Sequence, residues 1–237
     1  MSFERPDGRK LDETRPIEAK AGVIANADGS AFFRIGKTSA YAAVYGPRNL
    51  FPRFLQDPTT GLLRCHYNMM PFSGAGDRVR PGGNRRSKEI SSVTANALLP
   101  SVNLDAFPNA VVDVFIEFPE TDAGSRCAGI CAAAIALADA GITMKDIVAA
   151  VAVGNINGNV LVDLDYEEEA FEGEVADVPV AVLPRSEQIT LLQMDGKISK
   201  ELLMDALKKA IATAKKISVV QRAALKDKYK VIGEKNE

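Results

Sequence analysis

Three short stretches of this chain carry residues whose types and spacing could do chemistry. The first is TDAGSR, Thr121 to Arg126, where a run with strand character gives way to one with helix character. The first N–H groups of a helix have no intrahelical partner, so a helix start can hold an anion. Gly124 permits close approach, Ser125 adds a hydroxyl, and the Arg126 guanidinium is a planar fork suited to phosphate oxygens. A cation in the first turn is otherwise disfavoured by about 0.3–1 kcal/mol against the helix dipole. A bound anion would offset that cost. The competing reading is a simple Ser125 N-cap with Arg126 turned out to solvent.

The second stretch is DRVRPGGNRRSKE, where Arg78, Arg80, Arg85, Arg86 and Lys88 put five cations into eleven residues of a chain whose formal charge is −2. Gly82 and Gly83 make the loop pliable, and Arg85 and Arg86 adjoin a predicted helix start. Such a cluster suits the backbone phosphates of a single strand; its other reading is a solvated basic loop. The third is DLDYEEEAFEGEVAD, Asp163 to Asp177, with eight acids and no base. Asp163 closes an apolar strand, NVLVDL, and can be held rigidly there while most of the other acids only solvate a loop. Mutual repulsion raises some carboxyl pKa values, as an acid catalyst requires, and carboxylates can also hold Mg²⁺. Phosphate grip, strand grip and carboxylates together suggest phosphoryl transfer on a polynucleotide.

Composition narrows the alternatives. With 237 residues, 46% hydrophobic and 25% charged, the chain has the make-up of an ordinary globular protein. MSFERPDGRK lacks the apolar core of a signal peptide, and the longest apolar run, Cys127 to Ala138, is too short to span a bilayer. A cytoplasmic protein with no membrane partner is the expectation. Cys65, Cys127 and Cys131 do not make a closed zinc set and are expected to be buried. His66, the sole histidine, lies in an apolar strand and reads as structural or surface, which leaves acid–base work to carboxylates. GKT, Gly36 to Thr38, looks like the end of a phosphate-binding loop, but that motif's first glycine would fall at Ala31. A hairpin turn fits better.

The elements that must position these residues follow from periodicity. IEAKAGVI, AFFRIG, SAYAAVYG and LLRCHYNMM read as strands. A helix begins near Asn84 to Ser87 and stops at Pro100, and a strand at 110–118 is followed by a helix at 125–140. The second half repeats strands then helix: IVAAVAVG, NVLVDLD, VPVAVLP and QITLLQMDG, with Asn157-Gly158 and Asp195-Gly196 as hairpin turns. A long helix after Ser199 carries an apolar stripe of Leu203, Leu207, Ala210, Ile211, Ala214 and Ile217. These elements predict one α+β domain of mixed sheets and packed helices.

RPDGRKLDETRPIEAKAG, NRRSKEI, DVFIEFPETDAGSR, ALADAGITMKDIVAAVAVG and VLVDLD, in that order from about Arg5 to Tyr229, resemble the RNase PH family. RCHYNMMPFS and QRAALKDKY resemble its catalytic archaeal exosome branch more than bacterial RNase PH. The resemblance implies 3′→5′ phosphorolysis of RNA, with inorganic phosphate as co-substrate and nucleoside diphosphates released. It implies a six-membered ring shared with an inactive RNase PH-like sister subunit and capped by RNA-binding subunits. A homohexameric, tRNA-trimming RNase PH and a non-catalytic scaffold subunit are the competing expectations. By the same resemblance Gly124, Ser125 and Arg126 bind phosphate, Arg85 and Arg86 hold RNA near its 3′ end, and Asp163 is the first catalytic acid or a metal-positioning group. The family's second acid, normally aspartate six residues on, falls at Glu169. The stretch is about two residues longer than usual, which leaves Glu168 as an alternative.

Overall fold

The computed structural model describes residues 4–75, 79–80 and 83–234. Alternating apolar and polar residues build the first sheet from β1 (Ile17–Ala21), β2 (Gly29–Ile35), β3 (Thr38–Asn49), β4 (Leu62–Met69) and β5 (Ala110–Glu120). Its order is β1-β2-β3-β5-β4, antiparallel throughout except that β4 runs parallel to β5. On β5, Val112, Val114, Ile116 and Phe118 face the core, while Asp113, Phe115 and Glu117 face outward. The second sheet joins β6 (Ala149–Ile156), β7 (Asn159–Val162), β8 (Val175–Leu183) and β10 (Asp195–Gly196) in the order β10-β8-β6-β7, with β9 (Gln188–Leu192) also paired to β8.

One helix, α2 (Ser125–Asp139), lies between the sheets, touching β2, β3 and β5 on one side and β6 and β8 on the other. A helix buried all round must be apolar all round, and α2 is: its interior is Ala, Ile, Cys, Gly and Leu, nearly all without solvent contact. Small residues let the strands come close. A Cβ at Gly29, where β2 begins, would lie 2.2 Å from the Ala140 backbone nitrogen. α1 (Arg85–Leu98) packs on β4 through Ile90, Thr94 and Ala97. α4 (Lys200–Glu234) covers β6, β7 and β1 with Ala206, Ala210, Ala214 and Ile217 facing in. Buried Gln221 on α4 donates to the carbonyls of Cys131 (3.2 Å) and Val148 (3.0 Å), tying the helix to both halves. One continuous apolar core spans both sheets, so the fold is α+β.

Asn157 and Gly158, both left-handed at φ 47° and 81°, turn β6 into β7 as the sequence predicts. Gly36 likewise joins β2 to β3 at φ 57°. Asp195-Gly196, expected as a hairpin turn, instead pairs with Asp177-Ala176 on β8. Gly196 is required there for close approach: a Cβ would stand 2.2 Å from the Val175 carbonyl oxygen. All three cysteines are free and buried, and burial pushes the Cys65 and Cys131 thiols up to about 12. His66 lies outside the site described below, exposed on β4 and stacked on Phe115 with ring centroids 4.7 Å apart. Among the described residues, no helix is long and apolar enough to cross a membrane.

Candidate active site

The central helix starts soon after β5 ends. Ala123 and Gly124 are both left-handed, at φ 56° and 62°, which turns the chain sharply into α2. Gly124 is the N-cap, and no side chain caps the helix. Ser125 is therefore not the capping residue; its Oγ instead accepts from the buried Tyr67 hydroxyl at 2.8 Å. Three neighbours fix the turn. Thr38 Oγ1 donates to the Ala123 carbonyl (2.7 Å) and accepts from the Asp122 N–H (2.8 Å). The Thr121 N–H donates to the Ser73 carbonyl at 2.8 Å, and Arg15 Nη1 donates to the Asp122 carbonyl. Arg126 is only partly exposed: its Nε is buried with no hydrogen-bond partner among the described residues, and Nη2 stands 3.6 Å from Glu89.

This turn forms one wall of a cavity of about 540 Å³. Arg86 on α1 and Arg126 bring positive charge to it, and Glu169, Asp177 and Asp195 bring negative charge. Burial raises the Glu169 carboxyl to about 7, helped by repulsion from Asp177 and opposed by the Gly124 N–H, Arg86 and Arg15. Burial likewise raises Asp177 to about 6; Arg126 opposes this and Asp195 adds to it. Asp177 Oδ1 is buried and has no hydrogen-bond partner among the described residues. The cavity thus pairs unsatisfied donors with two carboxyls able to carry a proton near neutral pH. Among the described residues, no three His, Cys, Asp or Glu side chains converge as a metal cage.

The structure separates the sequence-predicted residues into those in the cavity and those outside it. Gly124, Ser125, Arg126, Arg86 and Glu169 line it. Asp163 does not: it is 2% exposed, just past the end of β7 at φ 57°, with its carboxylate turned inward. Its Oδ2 accepts from the Arg15 N–H (2.8 Å) and Nε (3.0 Å), and its Oδ1 from Arg15 Nη2 (2.7 Å). A catalytic place for Asp163 is therefore corrected: its oxygens are occupied by a buried ion pair, and it does not line the cavity. Glu168 is also withdrawn, 1% exposed and held by Arg5 through two bonds of 2.7 Å. Glu168 and Glu169 end the single-turn helix α3 (Tyr166–Glu169). Successive helical residues point about 100° apart, so one carboxylate enters the protein and the next enters the cavity.

The paired arginines divide in the same way. Asn84 caps α1 in a reciprocal box with Ser87. Both arginines are exposed, but Arg86 lines the cavity and an adjoining lobe of about 270 Å³ that Arg80 also lines, whereas Arg85 lines neither. Asp77, Arg78 and Gly82 of the basic stretch lie outside the described residues. Sequence reasoning missed Asp177 and Arg15. Asp177 gave a signal, being an acid inside the otherwise apolar run of β8. Arg15 gave none beyond its place in the N-terminal RPDGRKLDETR stretch.

Residues 13–143 match the 3′ exoribonuclease family, domain 1, and residues 146–216 match its domain 2. The chain is similar to the exosome complex component Rrp41 of Thermococcus kodakarensis, with 52% identity over 99% of this chain and 93% of that protein. Rrp41 of Methanopyrus kandleri is 49% identical over 95% and 93%. Rice Rrp46 shares the fold, with a TM-score of 0.83 at 23% identity over 94% of this chain and all of that one. A chain of the Archaeoglobus fulgidus exosome, solved with RNA bound to the active site, has a TM-score of 0.77 at 22% identity over 90% and 91%. The chain belongs to the RNase PH family of 3′ exoribonucleases.

Proposed function

We propose that this chain is the phosphorolytic subunit of an exosome ring, degrading RNA from its 3′ end with inorganic phosphate. The observation that carries this reading is the cavity where an uncapped helix start, Arg126 and Arg86 face two carboxyls raised toward neutral pH. Gly124, Ser125 and Arg126 hold the attacking phosphate through N–H, hydroxyl and guanidinium donors. Arg86 grips the RNA backbone beside it, and Arg85 contributes only at the rim. A phosphate oxygen attacks the terminal phosphorus, and the bond from phosphorus to the O3′ of the preceding nucleotide breaks. A nucleoside diphosphate leaves, and the new 3′-oxygen takes a proton. Glu169, raised to about 7, is the proton donor, and Asp177 is its partner across the cavity. Their hard oxygen donors also suit Mg²⁺ bound jointly with phosphate, which would supply charge neutralisation.

The relatives described as exosome complex components support assembly with other subunits. The ring partner is an RNase PH-like sister subunit, with RNA-binding subunits as caps. The test is RNA degradation by the chain with and without phosphate, alone and with the sister subunit. Release of nucleoside diphosphates only when phosphate is present supports the reading. Nucleoside monophosphates, or no release from a complete ring, would return the chain to a hydrolytic or scaffold role.

A further inference from the structure

The N-terminal segment carries three arginines, Arg5, Arg9 and Arg15, none of which lines the cavity itself. All three converge on the stretch between β7 and α3. Arg5 Nη1 donates to the Val162 carbonyl and Nη2 to the Asp163 carbonyl, both at 2.8 Å, while the same guanidinium holds Glu168. Arg9 Nη1 adds a second donor to the Asp163 carbonyl at 2.9 Å. Arg15 takes the Asp163 carboxylate and, with its remaining Nη1, reaches across to the Asp122 carbonyl in the phosphate turn. Asp122 is tied again from the other side, its Oδ1 accepting from the Tyr166 N–H at 3.3 Å.

These bonds answer a mechanical need. α3 is one turn long, and a single helical turn does not hold itself together in water. Asp163, the joint before it, is a non-glycine residue in the left-handed region, a conformation that persists only when surroundings enforce it. Four donors on its carboxylate and carbonyl from Arg15 and Arg5, with Arg9 beside them, do so. The Asp163 N–H is also fixed, donating to the Ala152 carbonyl of β6 at 2.7 Å.

We propose that Arg15 is a positioning residue that holds the phosphate turn and the Glu169 helix in one rigid frame, with Arg5 anchoring the helix side alone. The proposal rests on the functional reading above, since it assigns these side chains a purpose in that site. Arg15 touches both segments, so loosening it disturbs both phosphate binding and proton delivery. Arg5 touches the stretch leading into and through α3 and the Lys10 and Glu13 carbonyls of its own segment but makes no bond to the phosphate turn, so loosening it disturbs proton delivery alone. Misplacement of reacting groups by about 1 Å costs as much as 100-fold in rate, so small losses of order are readable.

The experiment uses the ring assembled with its sister subunit and compares Arg15→Lys with Arg5→Lys. Lysine keeps the charge against Asp163 or Glu168 but lacks the fork that reaches a second segment. Arg15→Lys is expected to raise the phosphate KM and lower kcat, each by about tenfold or more, with RNA affinity unchanged. Arg5→Lys is expected to lower kcat with phosphate KM unchanged. Amide hydrogen exchange is followed in parallel at 121–126 and 163–169, where Arg15→Lys should speed both segments and Arg5→Lys only the second. Exchange needs no turnover, so it judges the frame even if the wild-type ring makes no nucleoside diphosphates, a result that would sink the functional reading alone. Wild-type kinetics and exchange in Arg15→Lys, or the same pattern in both variants, would overturn the proposal. If Arg15→Lys fails to assemble, the double change Arg15→Met with Asp163→Leu removes the buried charges as a pair. The same two-segment loosening is then expected, and full protection at 121–126 would count against the frame.

Discussion

Asp163 and Asp177 bound the same acidic stretch, and both are largely withdrawn from water, yet their settings are opposite. Asp163 receives three donors from Arg15 within 3.0 Å; Asp177 has an oxygen with no partner among the described residues and is raised to about 6. Burial raises the Asp177 carboxyl, whereas the Asp163 carboxylate is enclosed by the Arg15 guanidinium fork. The difference teaches which acid can do chemistry. A proton donor must have a proton to give near neutral pH and open space in front of it, and only the cavity side of this stretch offers both. The buried side supplies rigidity instead. Glu168 and Glu169 repeat the comparison one residue apart, since Glu168 is clamped by Arg5 and Glu169 faces the cavity.

The largest expected effect breaks the comparison by exchanging readouts. Glu169→Gln and Asp177→Asn keep the shape and remove the titration. Each is expected to lower turnover by roughly 10²–10⁴-fold, the usual loss for an acid–base group, while RNA still binds. Asp163→Asn should do the reverse. It leaves Arg15 buried without its counter-ion, and breaking such a pair costs about 3–5 kcal/mol, read from denaturant unfolding of the chain. A stable Asp163→Asn with lost turnover, beside an active Glu169→Gln, would exchange the roles of the two sides.

A smaller effect sharpens the comparison through pH. Asp177 titrates at about 6 in the folded chain and at about 3.9 in an unfolded one. The folded state therefore binds this proton more tightly. The stability it contributes is complete below about pH 4 and is lost as pH rises through about 6. Asp177→Asn removes that loss, so the variant should exceed the wild type by on the order of 1–3 kcal/mol at pH 8 and converge with it near pH 4. Thermal midpoints across that range check it. A wild-type chain as stable as the variant at pH 8 would mean that Asp177 has a partner in solution.

Local signals in the sequence carried most of the fold and half of the site. β5, the turn and α2 were legible because a β-branched run, Ala-Gly-Ser and an alanine-rich run each state a local preference. Gly124, Ser125 and Arg126 followed because a helix start and a misplaced cation are also local. The carboxylates were not legible in this way. Which of the eight acids enters the cavity depends on the left-handed turn at Asp163 and on arginines about 150 positions away in sequence. Charge density identifies the stretch but not the facing of any one side chain. Asp195-Gly196 was misread for a related reason: the dipeptide favours a hairpin turn, but its glycine here serves close packing against β8.

The smallest expected effect carries the comparison to Arg85 and Arg86, neighbours of identical chemistry on the first turn of α1. Both are exposed, but Arg86 lines the cavity and its side lobe and Arg85 lines neither. A side chain that neutralises a backbone phosphate releases counterions when RNA binds. For a single strand, the slope of log affinity against log salt then changes by about 0.7 per contact. Arg86→Ala should therefore flatten the slope by about 0.7 in the assembled ring, and to a similar degree for different RNA sequences, because phosphate contacts do not read bases. Arg85→Ala should change it by less. Equal flattening by both would mean that RNA wraps over the outer face of α1 as well as entering the cavity. A slope unmoved by Arg86→Ala would leave its guanidinium to the attacking phosphate alone, and Arg86→Ala should then raise the phosphate KM while leaving RNA affinity untouched at every salt concentration.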